Sequence, residues 1–144
     1  MNVIHREVYE VRADDFASAG TASAKIKKTL KQIGVDADLI RRAAIISYEA
    51  ELNLVIHSLG GELILELTPD AIRISTQDIG PGIGDISLAL KEGWSTATDD
   101  IRNMGFGAGM GLPNIKRNSD EFEIQSAEGS GTVIRTVIRL KREG

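Results

Sequence analysis

The chain sets a carboxylate at the end of a predicted strand and follows it directly with a glycine-proline-glycine turn. Residues 71–78 alternate in character, and the positions that share the face of Asp78 form a mostly apolar row: Ile72, Ile74 and Thr76. A carboxylate in such a row is unfavourable unless it is hydrogen-bonded or solvated, which indicates a bound donor or a polar cavity. The alternative is that Asp78 only starts the turn by accepting backbone N–H groups. Gly80 and Gly82 allow the backbone to approach a ligand closely.

Length and composition exclude several classes of protein. The 144 residues, 42% of them hydrophobic, predict one domain over residues 1–144 with a continuous core. A net charge of −4 and the lack of a basic run argue against binding to nucleic acid. The absence of cysteine excludes disulfides, thiolate metal sites and thiol catalysis. Because there is no signal-peptide core and no apolar run of membrane-spanning length, we expect a cytoplasmic protein without a membrane partner.

Hydrophobic periodicity predicts five strands and four helices. The strands cover residues 3–11, 62–67, 71–78, 121–126 and 132–140. The helices run from a cap at Asp14 or Asp15 to Ile33, over residues 37–58, over residues 85–91 and over residues 112–117. Residues 92–104 are polar and lack a sustained period, which predicts a mobile segment.

The second predicted helix carries Glu49, Asn53 and His57, each four residues apart and therefore stacked along one side. A carboxylate and a carboxamide one helical turn apart can have different roles in a site. The carboxylate can orient or deprotonate a nucleophile, and the amide oxygen can bind a hard cation such as Mg²⁺. The alternative is a helix edge on which Glu49 and Asn53 face water and the His57 ring packs on a neighbour.

Glycines at every second position precede the predicted helix that begins near Leu112: Gly105, Gly107, Gly109 and Gly111. Such a loop presents successive backbone N–H groups beside a helix start, where the partial positive charge favours phosphate. The glycines complete neither the dinucleotide fingerprint nor the phosphate-loop motif. The alternative is a flexible linker, but the helix that follows directly favours an anion site.

The last predicted strand also directs a polar side chain inward. Thr132 shares a face with the apolar or β-branched residues Ile134, Thr136, Ile138 and Leu140. Its hydroxyl can bond a ligand near Asp78, or only its own neighbours, and the sequence leaves both possibilities open.

The order of these motifs is more specific than any one of them. Glu49-x-x-x-Asn53, Asp78-x-Gly80-x-Gly82, the glycines of residues 105–111 and Gly129-x-Gly131-Thr132 together resemble the GHKL ATP-binding fold. That fold is shared by gyrase, the heat-shock chaperone, histidine kinases and the mismatch-repair ATPase. The resemblance implies an α/β two-layer sandwich, with a mixed, mostly antiparallel sheet that carries helices on one face.

Shorter segments narrow the resemblance within that superfamily. Residues 93–96 (Gly-Trp-Ser-Thr) and 109–113 (Gly-Met-Gly-Leu-Pro) are similar to the bacterial anti-sigma-factor and switch serine/threonine kinases, including those that act on stressosome proteins. Residues 53–57 (Asn-Leu-Val-Ile-His) instead resemble the anti-sigma-factor branch, whose corresponding helix also carries a histidine near this place.

The resemblance also implies roles for the residues at the adenine end of the site. Asp78 is implied to accept a hydrogen bond from the adenine amino group of ATP, at the turn that contains Gly80. Gly82 would lie behind the base, and Thr132 would help through its hydroxyl or a water molecule.

Further roles are implied at the phosphate end. Asn53 would bind Mg²⁺ through its amide oxygen. Glu49 would act as general base toward a serine or threonine hydroxyl of a partner, or toward water in an ATPase. Leu112, at the helix start, and the preceding glycines would cradle the phosphates through their backbone: Gly105, Gly107, Gly109 and Gly111. Arg102 is the candidate for a contact with the γ-phosphate, because arginine can donate to two phosphate oxygens at once.

Two functions of different class follow from the resemblance. The first is a serine/threonine protein kinase that uses Mg²⁺ and ATP to phosphorylate a small regulatory protein of the anti-sigma antagonist or stressosome kind. The second is a module that binds a partner such as a sigma factor in an ATP-dependent way, with little or no catalysis. A histidine kinase and a gyrase-like motor are less favoured, because the chain has no room for the additional domains that they need. The resemblance also implies a homodimer.

Overall fold

The computed structural model describes residues 3–56, 60–78, 111–127 and 131–140. Its strands are β1 (His5–Val11), β2 (Gly61–Leu67), β3 (Ala71–Asp78), β4 (Glu121–Ala127) and β5 (Gly131–Arg139). Its α-helices are α1 (Thr21–Gln32), α2 (Ala37–Ile56) and α3 (Gly111–Asn118), and a short 3₁₀ helix at Phe16–Ser18 precedes α1. None of these helices is long and apolar enough to cross a membrane.

The five strands form one sheet in the order β1-β2-β3-β5-β4. All four pairings between these strands are antiparallel, so the described part of the sheet contains no parallel pair. β3 lies in the centre, with Gly61 of β2 opposite Asp78 on one side and Val133 of β5 opposite Gln77 on the other. The strands β2 and β3, which follow each other in the chain, therefore form an antiparallel hairpin.

The core lies between one face of the sheet and the helices. Alternate strand residues face it, and the long apolar side chains among them are fully buried together with those of the helices: Ile26, Leu30, Ile46, Leu54, Leu63, Leu65, Ile72, Ile74, Ile115 and Ile138. α2 packs against α1, α3 and the sheet. This arrangement confirms the predicted two-layer α/β sandwich.

One predicted helix is wrong in its extent. The sequence predicts a continuous helix from Asp14 or Asp15 to Ile33, but the chain forms a 3₁₀ turn, breaks, and begins α1 only at Thr21. Asp15 caps the 3₁₀ turn, because its Oδ1 accepts from the Ser18 N–H at 3.3 Å. Gly20 then adopts φ of 96°, a left-handed conformation that a helix interior does not permit. The helix predicted at residues 85–91 and the mobile segment predicted at 92–104 lie outside the described residues.

The start of α1 is capped by a residue of another helix. Gly20 has no side chain with which to cap α1. Instead the Glu51 carboxylate of α2 accepts from the Ala22 N–H at 3.2 Å and from the Ser23 N–H at 3.0 Å. Glu51 is only 2% exposed, so its charge is held by these two N–H groups and by the positive end of the helix. This carboxylate fixes α1 on α2.

We expect Glu51→Ala to destabilise the protein by about 2–3 kcal/mol, because it removes a helix cap and leaves two buried N–H groups without their acceptor. Chemical denaturation measures the change. Glu51→Gln, which keeps one acceptor oxygen, should lose less. Glu62→Ala, at an exposed strand position, should change stability by less than about 0.5 kcal/mol. Equal stability of Glu51→Ala and Glu62→Ala would contradict the capping role.

Candidate functional site

The ends of several helices and strands lie close together at one end of the domain. β3 finishes at Asp78 opposite Gly61, which starts β2 shortly after α2 ends at Ile56. β5 begins at Gly131 on the other side of Asp78. The C-terminal end of α2, the end of β3 and the start of β5 therefore lie together. The chain also leaves the described structure here after Asp78 and re-enters at Gly111.

Asp78 is half-buried at the end of the central strand, as its place in the apolar row predicts. Its Oδ1 accepts from the Thr132 backbone N–H at 2.6 Å. Burial raises the pKa of the Asp78 carboxyl above its usual value, and the hydrogen bond from Thr132 offsets part of that rise. The N–H group orients one oxygen of the carboxylate, while burial makes the charge unfavourable.

Two glycines allow the neighbouring strands to approach Asp78. A Cβ atom on Gly131 would lie 2.5 Å from the Asp78 carbonyl oxygen and 2.9 Å from Oδ1. Gly131 also has φ of 80°, which disfavours any other residue. A Cβ atom on Gly61 would lie 2.7 Å from the Asp78 Cα. The strand end is thus held between two backbones that only glycine can bring so close.

Thr132 is 6% exposed and faces inward, as predicted. Its hydroxyl lies 2.8 Å from the Ser126 hydroxyl of β4, and the Ser126 hydroxyl also donates to the Gly131 carbonyl at 3.2 Å. The hydroxyl therefore has a neighbour as a hydrogen-bond partner, and its bond to a ligand stays a prediction. Thr132 bonds to Asp78 through its backbone N–H. The alternation of side chains along a strand, on which the prediction depended, cannot indicate a backbone hydrogen bond of this kind.

The second group of site residues lies between α2 and α3. Glu49 and Asn53 are both half-buried on α2. A Cβ atom on Gly111, the first residue of α3, would lie 3.0 Å from Asn53 Oδ1 and 3.3 Å from Glu49 Oε2. The structure therefore brings the predicted carboxylate and carboxamide together against the start of α3, and does not leave them on a solvated helix edge.

Glu49 has a partner that sequence reasoning missed. Asn114 of α3 forms a side-chain hydrogen bond to it. The Asn114 Oδ1 accepts from the Arg117 guanidinium at 3.0 Å, so the Asn114 amide nitrogen is the group that donates to Glu49. Burial raises the pKa of Glu49, and the Asn114 hydrogen bond lowers it in part. Asn114 lies one turn beyond Gly111, and no spacing motif in the sequence distinguishes it.

The far end of α3 is tied to α2. Arg42 of α2 donates to the Asn118 carbonyl at 3.0 Å and to Asp120 Oδ1 at 2.9 Å. The Arg139 N–H donates to Asp120 Oδ2 at 2.7 Å. Partial burial acts to raise the pKa of Asp120, but these hydrogen bonds and the nearby arginines hold it below its usual value. This Arg42–Asp120 contact fixes α3 along α2, and so fixes Gly111 beside Asn53.

The other predicted site residues are divided between the core and the undescribed segment. Leu112 is 8% exposed and belongs to the hydrophobic core, so its side chain is structural. The remaining ones lie outside the described residues: His57, Gly80, Gly82, Arg102, Gly105, Gly107 and Gly109.

The donors on α2 suit Mg²⁺ better than a metal that needs a complete protein cage. Asn53 offers an amide oxygen and Glu49 a carboxylate, which are hard oxygen ligands. Within residues 3–56, 60–78, 111–127 and 131–140, no group of three or more His, Cys, Asp or Glu residues could hold a metal. Mg²⁺ commonly takes one or two protein ligands and completes its shell with water and phosphate, so these residues fit it.

Comparison with known proteins identifies the family. The model of the histidine kinase-, DNA gyrase B- and HSP90-like ATPases matches residues 38–143. The serine/threonine-protein kinase RsbT of Bacillus subtilis (strain 168) is 33% identical over 97 residues, which cover 65% of this chain and 67% of RsbT. The anti-sigma F factor of Thermoanaerobacter sp. (strain X514) is 30% identical over 92 residues, which cover 60% of this chain and 61% of that protein.

Solved structures share the fold. The RsbU and RsbW domains of a Mycobacterium tuberculosis protein align with a TM-score of 0.60 at 20% identity, covering 95% of this chain and 33% of that one. The mycobacterial sensor histidine kinase MprB aligns with a TM-score of 0.55 at 15% identity, covering 96% of this chain and 100% of that one. Since the family model matches most of its length, the chain belongs to the histidine kinase-, DNA gyrase B- and HSP90-like ATPases.

Proposed function

We propose that this protein is an ATP-dependent serine/threonine protein kinase whose substrate is a small regulatory protein of the anti-sigma antagonist or stressosome kind. The observation that carries the proposal is the meeting of Glu49 and Asn53 at the first residue of α3. A base and a ligand for a hard cation, placed side by side at a helix start, suit phosphoryl transfer. The similarity to RsbT supports a kinase.

Asp78 is proposed to recognise adenine. Its Oδ1 is engaged by the Thr132 N–H, so Oδ2 is the oxygen that we assign to the exocyclic amino group of the base. A half-buried carboxylate with a raised pKa is an unfavourable group to keep in a core row, and a hydrogen-bond donor on the ligand would compensate it. Gly82, which follows in the chain, is proposed to lie behind the base, and Gly80 to belong to the turn at this end of the ATP site.

Asn53 is proposed to bind Mg²⁺ through its amide oxygen, and the cation would neutralise charge on the ATP phosphates. The start of α3 lies beside Asn53, and the N-terminus of a helix favours an anion. Arg102 and the glycines that precede Gly111 are assigned to the phosphates by resemblance to the family.

Glu49 is proposed as the general base. It would take the proton of a serine or threonine hydroxyl on the partner while that oxygen bonds to the γ-phosphorus, the bond from this phosphorus to the bridging oxygen breaks, and ADP leaves. A raised pKa brings a carboxylate closer to the range in which it accepts a proton well. Asn114 holds the carboxylate in place for this step.

The assembly in which this reaction takes place is also part of the proposal. We expect one domain over residues 1–144 that acts in the cytoplasm, a homodimer, and a partner protein that exchanges binding partners when it is phosphorylated. A sigma factor is the further partner suggested by similarity to the anti-sigma F factor.

We expect Asp78→Asn to weaken ATP binding at least about tenfold, because it removes a charged hydrogen-bond acceptor and presents an amide donor to the adenine amino group. Calorimetric titration with ATP and ADP measures this. Asp36→Asn, at an exposed position, serves as the matched control and should bind as the parent does. Unchanged affinity of Asp78→Asn would refute the adenine assignment.

The same variant should be more stable than the parent at pH 7. Burial raises the pKa of Asp78 in the folded state, so the contribution of Asp78 to stability decreases as pH rises above about 3.8 and the carboxyl ionises. Asparagine avoids this loss and can still accept from the Thr132 N–H. Thermal unfolding should therefore show a gain for Asp78→Asn at pH 7 that disappears near pH 4. A gain that persists unchanged at low pH would show that ionisation of Asp78 is not its cause.

Asn53→Ala should make ATP binding insensitive to Mg²⁺. Titrations with Mg²⁺ and with EDTA should differ for the parent and coincide for the variant, because the amide oxygen that holds the cation is gone. Gln32→Ala removes a carboxamide at an exposed position at the end of α1 and should leave the Mg²⁺ dependence intact. Full Mg²⁺ dependence in Asn53→Ala would exclude this residue as the ligand.

Glu49→Gln should keep ATP binding and lose phosphoryl transfer by about 100-fold or more, since general bases contribute about that much. The assay follows phosphate from ATP onto a recombinant anti-sigma antagonist of the same genome, with the modified serine or threonine located by mass spectrometry. Glu62→Gln, at an exposed strand position, is the matched control. Tight ATP binding by the parent without any transfer would favour the alternative of an ATP-dependent binding module.

A further inference from the structure

A groove of about 530 Å³ lies between α1 and α2. Its lining shares no residue with the nucleotide site described above. Most of its apolar lining comes from one stripe of α2, in which Ile40 forms a buried floor and Ala44 and Ile45 are half-buried. Tyr48, at one end of the stripe, is 39% exposed, which is high for a large apolar side chain.

The rim of this groove is basic. Lys27 and Lys31 lie one turn apart on α1, and Arg41 belongs to α2. None of the eight lining residues is acidic. In the part of the chain that the structure describes, these three cations form no salt bridge. The protein as a whole carries a net charge of −4, so this concentration of positive charge beside an apolar groove is a local feature.

We propose that this groove binds an amphipathic helix of a partner protein whose acidic residues flank its apolar side. Apolar side chains of that helix, spaced at three and four residues, would contact Ile45 and Tyr48. Its carboxylates would pair with Lys27, Lys31 and Arg41, which form no salt bridge among the described residues.

The positive charge of the rim also favours an acidic helix over other partners that could occupy the groove. A second copy of the chain that used the same surface would bring its own lysines and arginine against these, because such a contact is self-complementary. Like charges would then face each other. Nucleic acid offers phosphates to the rim but no apolar group to fill the groove between them. An acidic amphipathic helix satisfies both the apolar lining and the basic rim.

The test uses a fluorescein-labelled synthetic peptide of about 18 residues, which makes five helical turns, with leucines on one side and glutamates beside them. Fluorescence anisotropy is measured with the full chain and without nucleotide. Binding should saturate and should weaken at least about tenfold in the double variant Lys27→Glu/Arg41→Glu. Lys28→Glu makes the same charge change on α1 outside the groove lining and should bind as the parent does. Tyr48→Ala should weaken binding, and Tyr48→Phe should retain it.

Several outcomes would overturn the proposal. One is equal binding of a peptide in which lysines replace the glutamates, and another is unchanged binding by the double variant. Preference for phosphatidylglycerol vesicles over the peptide would assign the groove to a membrane surface, and loss of a parental dimer in the double variant would assign it to a second copy. Circular dichroism verifies that each variant is folded. Because nucleotide is absent, failure of the kinase proposal would leave these results unaffected.

Discussion

The geometry of the candidate site depends on how closely three strands approach one another at Asp78. The strands β2 and β5 pair with β3 from both sides, and Gly61 and Gly131 bring their backbones into contact with its last residue. The Thr132 N–H then meets the Asp78 carboxylate from a backbone position that strand pairing already fixes. The orientation of the carboxylate is therefore a property of the sheet, and it needs no mobile side chain to maintain it.

The helical half of the site is fixed in a different way. Arg42 and Asp120 hold the end of α3, and the length of this helix then sets where Gly111 meets Asn53. Burial of Asp78 and Glu49 is unfavourable for their charged forms, as the direction of both pKa changes indicates. The aliphatic core between sheet and helices offsets that loss, since burial of apolar surface is the main favourable contribution to folding.

Local patterns in the sequence predicted the strands, α2 and the inward direction of Asp78 and Thr132, because alternation and helical spacing act over a few residues. The same patterns did not predict features that depend on a residue far away in the sequence. Glu51 caps α1 from 28 and 29 residues away along the chain, and only the fold brings the two together. Gly20 lies inside the helix predicted from Asp14 or Asp15 to Ile33, but its positive φ does not fit a helix, and α1 begins only after it. No sequence pattern pointed to Asn114, since its role comes only from its hydrogen bond to Glu49.

Three positions that shape the site contribute no side chain to it. Gly61, Gly111 and Gly131 belong to three different elements, and each leaves the room that a functional neighbour occupies. A relative that keeps the acidic and amide residues but has alanine at one of these positions would look intact in any comparison of the candidate site's side chains. Its backbone would nevertheless have to move away from the site. Divergence of function in this family can therefore begin at residues that take no part in the chemistry.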